Sequence, residues 1–301
     1  MGDCTVCNVC EQPRTFESAI EVNQIYSNLR KFQEQKFTVW RCSSCRSLHS
    51  KEEVDLDYYY EGYPVHEVLS KQELPSNYFL RYVPRRIQYS RFQLLKKQGF
   101  QKEHKLLDYG CADGALLSLL QEMGYKNVFG YDPYYPKYSD KKVLDERYDV
   151  IISQDVIEHV NEPREFLDQL LGSLKKDGLL VIGTPNADEI DLLNSKNSFM
   201  ELHQPYHRHI LSEEALLNLG ASKGLEVLEV YKRCYADTLY PPVNTRFLWG
   251  YIRRAGMVMD IVFEPFRPEL ILTSPKLLFY AFAGYFLRQP GHMMIFFRRN
   301  R

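Results

Sequence analysis

Five of the chain's seven cysteines fall before residue 46, as Cys4, Cys7, Cys10, Cys42 and Cys45. They make C-x-x-C pairs in CTVCNVC and in WRCSSCRS, and two such pairs close a tetrahedral zinc shell with thiolates about 2.3 Å from the metal. Cys7 belongs to two overlapping pairs. The set Cys7, Cys10, Cys42 and Cys45 is preferred, with Cys4 as the alternative ligand, because CNVCEQPRTF reads as a knuckle followed by an outgoing strand. All four positions of that shell are filled, so the expected role is a structural staple for a segment too small to hold its own core.

A second group follows in LLDYGCADGALLSLL. A strand-like run ends at Asp108, the chain turns through Gly110, Cys111, Ala112, Asp113 and Gly114, and a leucine-rich helix begins. A turn of small residues lets a ligand approach the backbone, and the helix start adds oriented N–H groups. Asp132, at the end of VFGYDP and eighteen positions after Gly114, can accept hydrogen bonds from ribose hydroxyls. These residues, with Pro133, Gln154 and Asp155 at neighbouring strand ends, predict a nucleotide-like cofactor.

The third group is QDVIEHV. Asp155, Glu158 and His159 stand at i, i+3 and i+4, so one helical turn would point all three the same way. His207 approaches from beyond GTPN. His159 is expected as a general base with a pKa near neutrality, oriented by Asp155 or Glu158, with Glu158 and His207 completing the catalytic set. The bland alternative makes Glu158 and His159 caps of a helix beginning near Asn161. His203 and His209 read as loop or rim residues. Tyr58, Tyr59, Tyr60 and Tyr63 either stack over the cofactor or acceptor or pack between ribbon and core.

These groups need a frame. KLLDYG, NVFGYD, YDVIISQD and GLLVIGTPN read as strands, interleaved with helices at Ala115–Met123, Pro163–Leu174 and Ser212–Lys223. Such alternation predicts an α/β fold with a doubly wound parallel sheet. In the Pro163 helix, Asn161 reads as cap and Phe166, Leu167, Leu170, Leu171 and Leu174 share one face. The expected organisation is a zinc ribbon over 1–55, a connector and helix over 56–99, and a Rossmann-like core over 100–239. A helical insertion over 240–290, read as two helices, and a last strand over 291–301 complete it.

LLDYGCADG resembles motif I of the class I S-adenosylmethionine-dependent methyltransferases, with Ala112 in place of the middle glycine often seen there. The resemblance runs over about residues 100–232. It implies S-adenosylmethionine as cofactor, Asp108 and Gly110 near its methionine moiety, and Asp132 on its ribose. EHV and HRHILS are similar to the ubiquinone O-methyltransferase group, and the ribbon followed by YYYEGYP is similar to zinc-containing sugar C-methyltransferases. Resemblance to quinone O-methyltransferases and plant small-RNA 2'-O-methyltransferases implies a divalent cation at Asp155, Glu158, His159 and His207, with Asp155 where that pattern has Glu. Only seventeen positions separate Asp132 from Asp149. Strand three is therefore expected as a remnant around Lys142–Leu144, or the adenine pocket is built differently.

Composition narrows the partners. Thirty-eight basic and thirty-nine acidic residues leave a net charge of -1, which offers no field for a polyanion. The longest apolar run, Leu277–Phe286, is half a membrane span. The expectation is a cytoplasmic methyltransferase acting on a small-molecule acceptor, a sugar or sugar nucleotide by preference, with homodimerisation through the 240–290 helices. The alternatives are metal-assisted 2'-O-methylation of an RNA end and a silent cofactor-binding scaffold.

Overall fold

A computed structural model describes residues 5–10, 14–61, 78–287 and 291–300. Cys4, Tyr63, the Gly-Tyr-Pro turn of the connector and the 290/291 boundary lie outside the described residues. Three short strands come first, β1 (Glu21–Tyr26), β2 (Lys36–Arg41) and β3 (Leu48–Ser50). The central strands follow: β4 (Leu106–Tyr109), β5 (Val128–Tyr131), β6 (Tyr148–Gln154) and β7 (Leu174–Pro185). Then come β8 (His209–Ile210), β9 (Leu225–Tyr231) and β10 (His292–Arg299).

Six strands form the central sheet in the order β5-β4-β6-β7-β10-β9. β4 pairs in parallel with both β5 and β6, β6 with β7, and β10 runs antiparallel to both neighbours. From β4 the chain goes one way to β5 and returns on the other side to β6. That reversal opens a crevice beyond the carboxyl ends of β4 and β6. The expected doubly wound α/β sheet is present.

Period-2 side chains divide the sheet's two faces. Leu106, Val150, Ile152, Val181 and Phe296 pack with Phe92 and Leu95 of the helix Tyr78–Lys97 and with Leu116, Leu117 and Leu120 of the helix Ala115–Glu122. Leu107, Ile151, Leu180, Ile182 and Phe297 pack on the opposite side with Phe166, Leu167 and Leu170, and with Leu216 and Leu219 of the helix Glu213–Ser222.

No third strand forms between Asp132 and Asp149. That segment folds as 3-10 turns at Pro136–Tyr138 and Lys141–Asp145, the second capped by the Asp140 carboxylate on the Lys142 amide at 3.0 Å. β5 is consequently a sheet edge. The helix after β6 spans Pro163–Ser173 with Glu162, not Asn161, at the cap position, because Pro163 takes the first helical place.

The N-terminal strands do not stand apart. β1, β2 and β3 form an antiparallel sheet whose fourth strand is β8, from the far side of the core sequence. Buried Arg41 bonds Glu21 at 2.6 Å and the carbonyls of Ala187 and Ile190 at 2.9 and 2.7 Å, and Trp40 is packed into the same cluster as the central sheet.

In the C-terminal insertion the first expected helix stops at Ala255, because Gly256 takes φ 141°. A 3-10 turn at Met259–Phe263 and helices at Glu269–Leu272 and Pro275–Ala283 follow. The last helix buries Leu277 and Ala281 but exposes Phe279 and Phe282, with Phe286 continuing the outer stripe. No helix among the described residues is long and apolar enough to cross a membrane.

Candidate active site

The loop after β4 is set by backbone geometry. Gly110, Ala112 and Gly114 all have positive φ (81°, 48° and 78°). A Cβ on Gly110 would lie 2.2 Å from Val156 Cγ2, and one on Gly114 would lie 2.1 Å from the Tyr138 hydroxyl. The glycines are therefore demanded by left-handed backbone and by packing against Val156 and Tyr138, quite apart from any ligand. The Cys111 thiol turns into the core, where burial first and then Asp108 push its pKa up.

A cavity of about 570 Å³ opens beside this loop at the switch point, a size suited to a cofactor with its substrate. Asp108, Gly110, Cys111, Ala112, Asp132, Pro133, Gln154, Asp155 and His159 all line it. Gly114, Glu158 and His207 are not among its lining residues. Asp132 ties the loop to the end of β5, accepting from the Ala112 amide at 3.0 Å and the Tyr134 amide at 2.9 Å.

Asp108 is 2% exposed and its Oδ1 accepts no hydrogen bond, with Arg91 Nη2 at 3.7 Å. Burial pushes its pKa up to about 6 against the pull of Arg91, and Asp132 adds to the rise. A buried carboxyl with an orphaned oxygen suits a cationic amine, and Asp132 suits a diol further along the cavity. The residues present thus fit S-adenosylmethionine.

Arg91 and Tyr235 were not singled out from the sequence. Arg91 donates to Gln88 at 2.8 Å and stands over the Tyr235 ring at 5.6 Å, while the Asp155 charge first, and then burial, push the Tyr235 pKa up. An arginine on the apolar face of YSRFQLL is a faint signal for the first. Tyr235 follows β9 with no local signature.

The turn from Asp155 to Asn161 is not helical, which corrects the expected common direction of Asp155, Glu158 and His159. Asp155 has φ 53° and accepts from Gln154 Nε2 at 2.8 Å. Glu158 points elsewhere, fully buried, with Oε2 accepting from the Thr184 hydroxyl at 3.0 Å and Oε1 accepting nothing. Burial first, and then Asp155, raise its pKa well above the ordinary value.

His159 is oriented by neither acid. Its Nδ1 lies 3.1 Å from the Tyr60 hydroxyl, and burial lowers its pKa to about 4 rather than leaving it near neutrality. His207 donates Nδ1–H to the Glu201 carbonyl at 2.6 Å, and burial, then His159, lower its pKa. Glu158, His159 and His207 each bring one ligand atom within 4.8 Å of the others; Asp155 is not part of that group.

His203 and His209 are interior rather than rim residues. His203 Nδ1 meets Asn28 Oδ1 at 2.6 Å, and His209 lies between His49, with Nδ1 atoms 2.9 Å apart, and the Asn161 carbonyl at 3.0 Å. The tyrosines divide their roles. Tyr59 packs on Phe32 and Phe37, whereas Tyr60 stacks on Tyr134 at 4.2 Å and lines the cavity.

Away from this cavity, Cys7, Cys10, Cys42 and Cys45 converge. Their sulfurs stand 3.6 Å (Cys7–Cys45), 3.5 Å (Cys7–Cys10) and 4.0 Å (Cys10–Cys42) apart. Ligands about 2.3 Å from a tetrahedral zinc are separated by about 3.8 Å, so the four fit that ion. The Ser44 amide points at Cys42 Sγ at 3.4 Å and Arg46 takes φ 61°, closing the second knuckle.

The family model for the methyltransferase domain matches residues 79–230, half of the chain. The chain belongs to the methyltransferase domain family. The resemblance to class I S-adenosylmethionine-dependent methyltransferases is thereby borne out. The ubiquinone biosynthesis O-methyltransferases of Rickettsia felis and Bradyrhizobium diazoefficiens are 31% and 30% identical where they align, over 27% of this chain and 41% and 40% of theirs. The chain spans less than half the length of these curated relatives. Among solved structures, a SAM dependent methyltransferase from Archaeoglobus fulgidus is 15% identical, with 74% of this chain and 100% of that one covered at a TM-score of 0.43. Coclaurine N-methyltransferase bound to N-methylheliamine and SAH is 17% identical, with coverages of 70% and 72% and a TM-score of 0.42.

Proposed function

We propose that the chain transfers the methyl group of S-adenosylmethionine to a hydroxyl of a small polar biosynthetic intermediate, a sugar or sugar nucleotide by preference. The observation that carries this is the placement of His159 on the wall of the cavity that also holds the orphaned Asp108 oxygen and Asp132. Family membership and the printed O-methyltransferase names of the curated relatives support it. The cofactor brings an activated methyl group, so the chain's task is alignment and one proton.

Asp108 binds the donor's amine, Asp132 its ribose, and the left-handed loop leaves room between them. With Nδ1–H donated to the Tyr60 oxygen, His159 presents Nε2 as an acceptor for the substrate hydroxyl. A pKa of about 4 keeps it neutral at pH 7. It therefore orients the hydroxyl as a neutral acceptor, and so weak a base takes the proton only as the new methyl–oxygen bond makes that proton strongly acidic.

One observation favours a second reading of the same wall. Glu158 Oε1 is buried without a donor, and His207 is locked through Nδ1 to a backbone carbonyl, the arrangement usual for metal-ligating histidines. Glu158, His159 and His207 would hold a divalent cation there, which polarises an acceptor oxygen. Incubation of a metabolite extract with labelled methyl donor tests both readings. Label entering a small polar product supports transfer; no labelled product overturns it. Chelation that stops transfer, reversed by Mg²⁺ or Mn²⁺, selects the cation, and indifference to chelation selects His159 alone.

The 240–290 helices are proposed to pair two copies through the Phe279, Phe282 and Phe286 stripe. A helix apolar on its outer face as well as its inner one is poorly suited to water.

A further inference from the structure

The cysteine knuckles touch the turn that carries His159. Asn8, between Cys7 and Cys10, donates Nδ2–H to the carbonyl of Asn161, and His209 Nε2 donates to the same carbonyl at 3.0 Å. The next knuckle residue, Val9, accepts from Arg164 Nε at 3.1 Å. From the second knuckle, the Cys45 carbonyl accepts the Ser212 hydroxyl at 2.6 Å, and Ser47 Oγ accepts the Ser212 amide at 3.2 Å.

Asn161 lines the cavity two positions after His159, and Arg164 stands in the first turn of the following helix. The segment between them and β6 has no helical hydrogen-bond ladder of its own. It starts at Asp155 in left-handed backbone and carries Glu158 with one carboxylate oxygen, Oε1, unsatisfied. Such a turn keeps its shape only where its surroundings impose it. A staple serving the ribbon alone would spend its polar groups on β1–β3. Here the first knuckle bonds Asn161, the last residue of the turn, through Asn8, and the helix that follows through the Val9 carbonyl, while the Arg208 and His209 amides hold the Glu158 carbonyl at the turn's middle.

We propose that the first knuckle is a brace for the catalytic turn, with Asn8 as a positioning residue that acts on His159 through Asn161. The zinc that the four sulfurs suit would serve by fixing the Cys7–Cys10 loop from which Asn8 reaches. The word catalytic rests on the reading of His159 above. The mechanical coupling does not, and its test is read without an acceptor.

Asn8→Asp keeps the side chain's size, replaces the donor by a carboxylate oxygen and adds a negative charge that faces the Asn161 carbonyl. Arg164→Ala cuts the second link from the core side and changes no residue of the knuckle itself. Hydrogen exchange is followed in peptides covering residues 150–165, with zinc content and S-adenosylhomocysteine affinity measured on the same samples. The His159 amide, bonded to the Val156 carbonyl at 2.9 Å, is expected to exchange about five- to tenfold faster in each variant and in metal-depleted wild type. The peptides of β4 should be unaltered and the affinity should change by less than about threefold. On any acceptor that turns over, kcat should fall by about the same factor as protection while the donor's KM holds. Should Asn8→Asp lose zinc, Arg164→Ala decides. Unchanged exchange across 155–161 in Arg164→Ala, or in Asn8→Asp with zinc retained, overturns the brace even where methyl transfer is demonstrated.

Discussion

The Tyr60 hydroxyl lies 3.1 Å from Nδ1 of His159, so a residue of the connector, rather than either neighbouring acid, sets the direction of the imidazole. Tyr60 is itself held by stacking on Tyr134 at 4.2 Å and by an edge contact with Tyr206 at 5.1 Å. Connector, post-β5 loop and post-β7 loop thus meet over one ring.

That relationship ranks two variants. His159→Ala should lower turnover by about 10²- to 10⁴-fold, the usual worth of a positioned acid or base, with donor affinity shifted by less than about tenfold. Tyr60→Phe keeps the ring and loses one hydrogen bond, so turnover should drop by only about five- to tenfold. Single-turnover rates on an identified acceptor check the ranking. A Tyr60→Phe protein as damaged as His159→Ala would show that the phenol takes part in the chemistry.

Asp108 makes donor binding depend on pH. Its pKa, raised to about 6 in the folded chain, means that the native state holds a proton that the unfolded chain has released. Stability from this group is therefore greatest in acid and declines as pH rises from about 4 to about 6. A cationic amine reverses the preference by favouring the carboxylate, so donor affinity should fall as pH drops below about 6 and level off above it. Binding near pH 6 should release protons, detectable by calorimetry in buffers of different ionisation enthalpy. Loss of that release in Asp108→Asn is expected; affinity independent of pH between 5 and 7 would remove Asp108 from the amine site.

For the cysteines, elemental analysis of protein purified without chelator should find about one zinc per chain. Cys42→Ser should lose it and destabilise β1–β3 before the central sheet, because metal binding in such a knuckle is folding energy. A zinc-free wild-type protein, stable and folded, rules out the metal site.

Sedimentation should show a dimer for the wild type and a monomer for Phe282→Glu, since the substituted ring is 68% exposed and lies on the outer stripe. A monomeric wild type at micromolar concentration contradicts pairing through this helix.

Much of the frame could be read in the sequence because its signals are periodic. Leu106 and Leu107, or Val150 and Ile151, alternate between two cores in a way that only a sheet covered on both faces allows. The cysteine spacing likewise announced a cluster of four sulfurs, although the overlapping pairs of Cys4, Cys7 and Cys10 left its first half open. What escaped the sequence depended on tertiary context. Helical spacing in QDVIEHV suggested one face, but Asp155 takes left-handed backbone and bonds Gln154, sending Glu158 toward Thr184 instead. A neutral-range pKa for His159 ignored burial among His203, His207 and Tyr60 that only the folded chain creates. Pairing of β8 with β3 joins residues 160 positions apart, and nothing local to HRHILS announces it.

The central claim is that the cavity beside Gly110 and Asp132 binds S-adenosylmethionine, and a calorimetric titration with S-adenosylmethionine and S-adenosylhomocysteine tests it most directly. One site per chain with micromolar affinity is expected. Asp132→Ala should weaken it by at least about tenfold, through loss of charged hydrogen bonds to the ribose and of the Ala112 amide's acceptor. Absence of binding by folded, zinc-replete wild-type protein, or affinity unchanged by Asp132→Ala, would contradict the account.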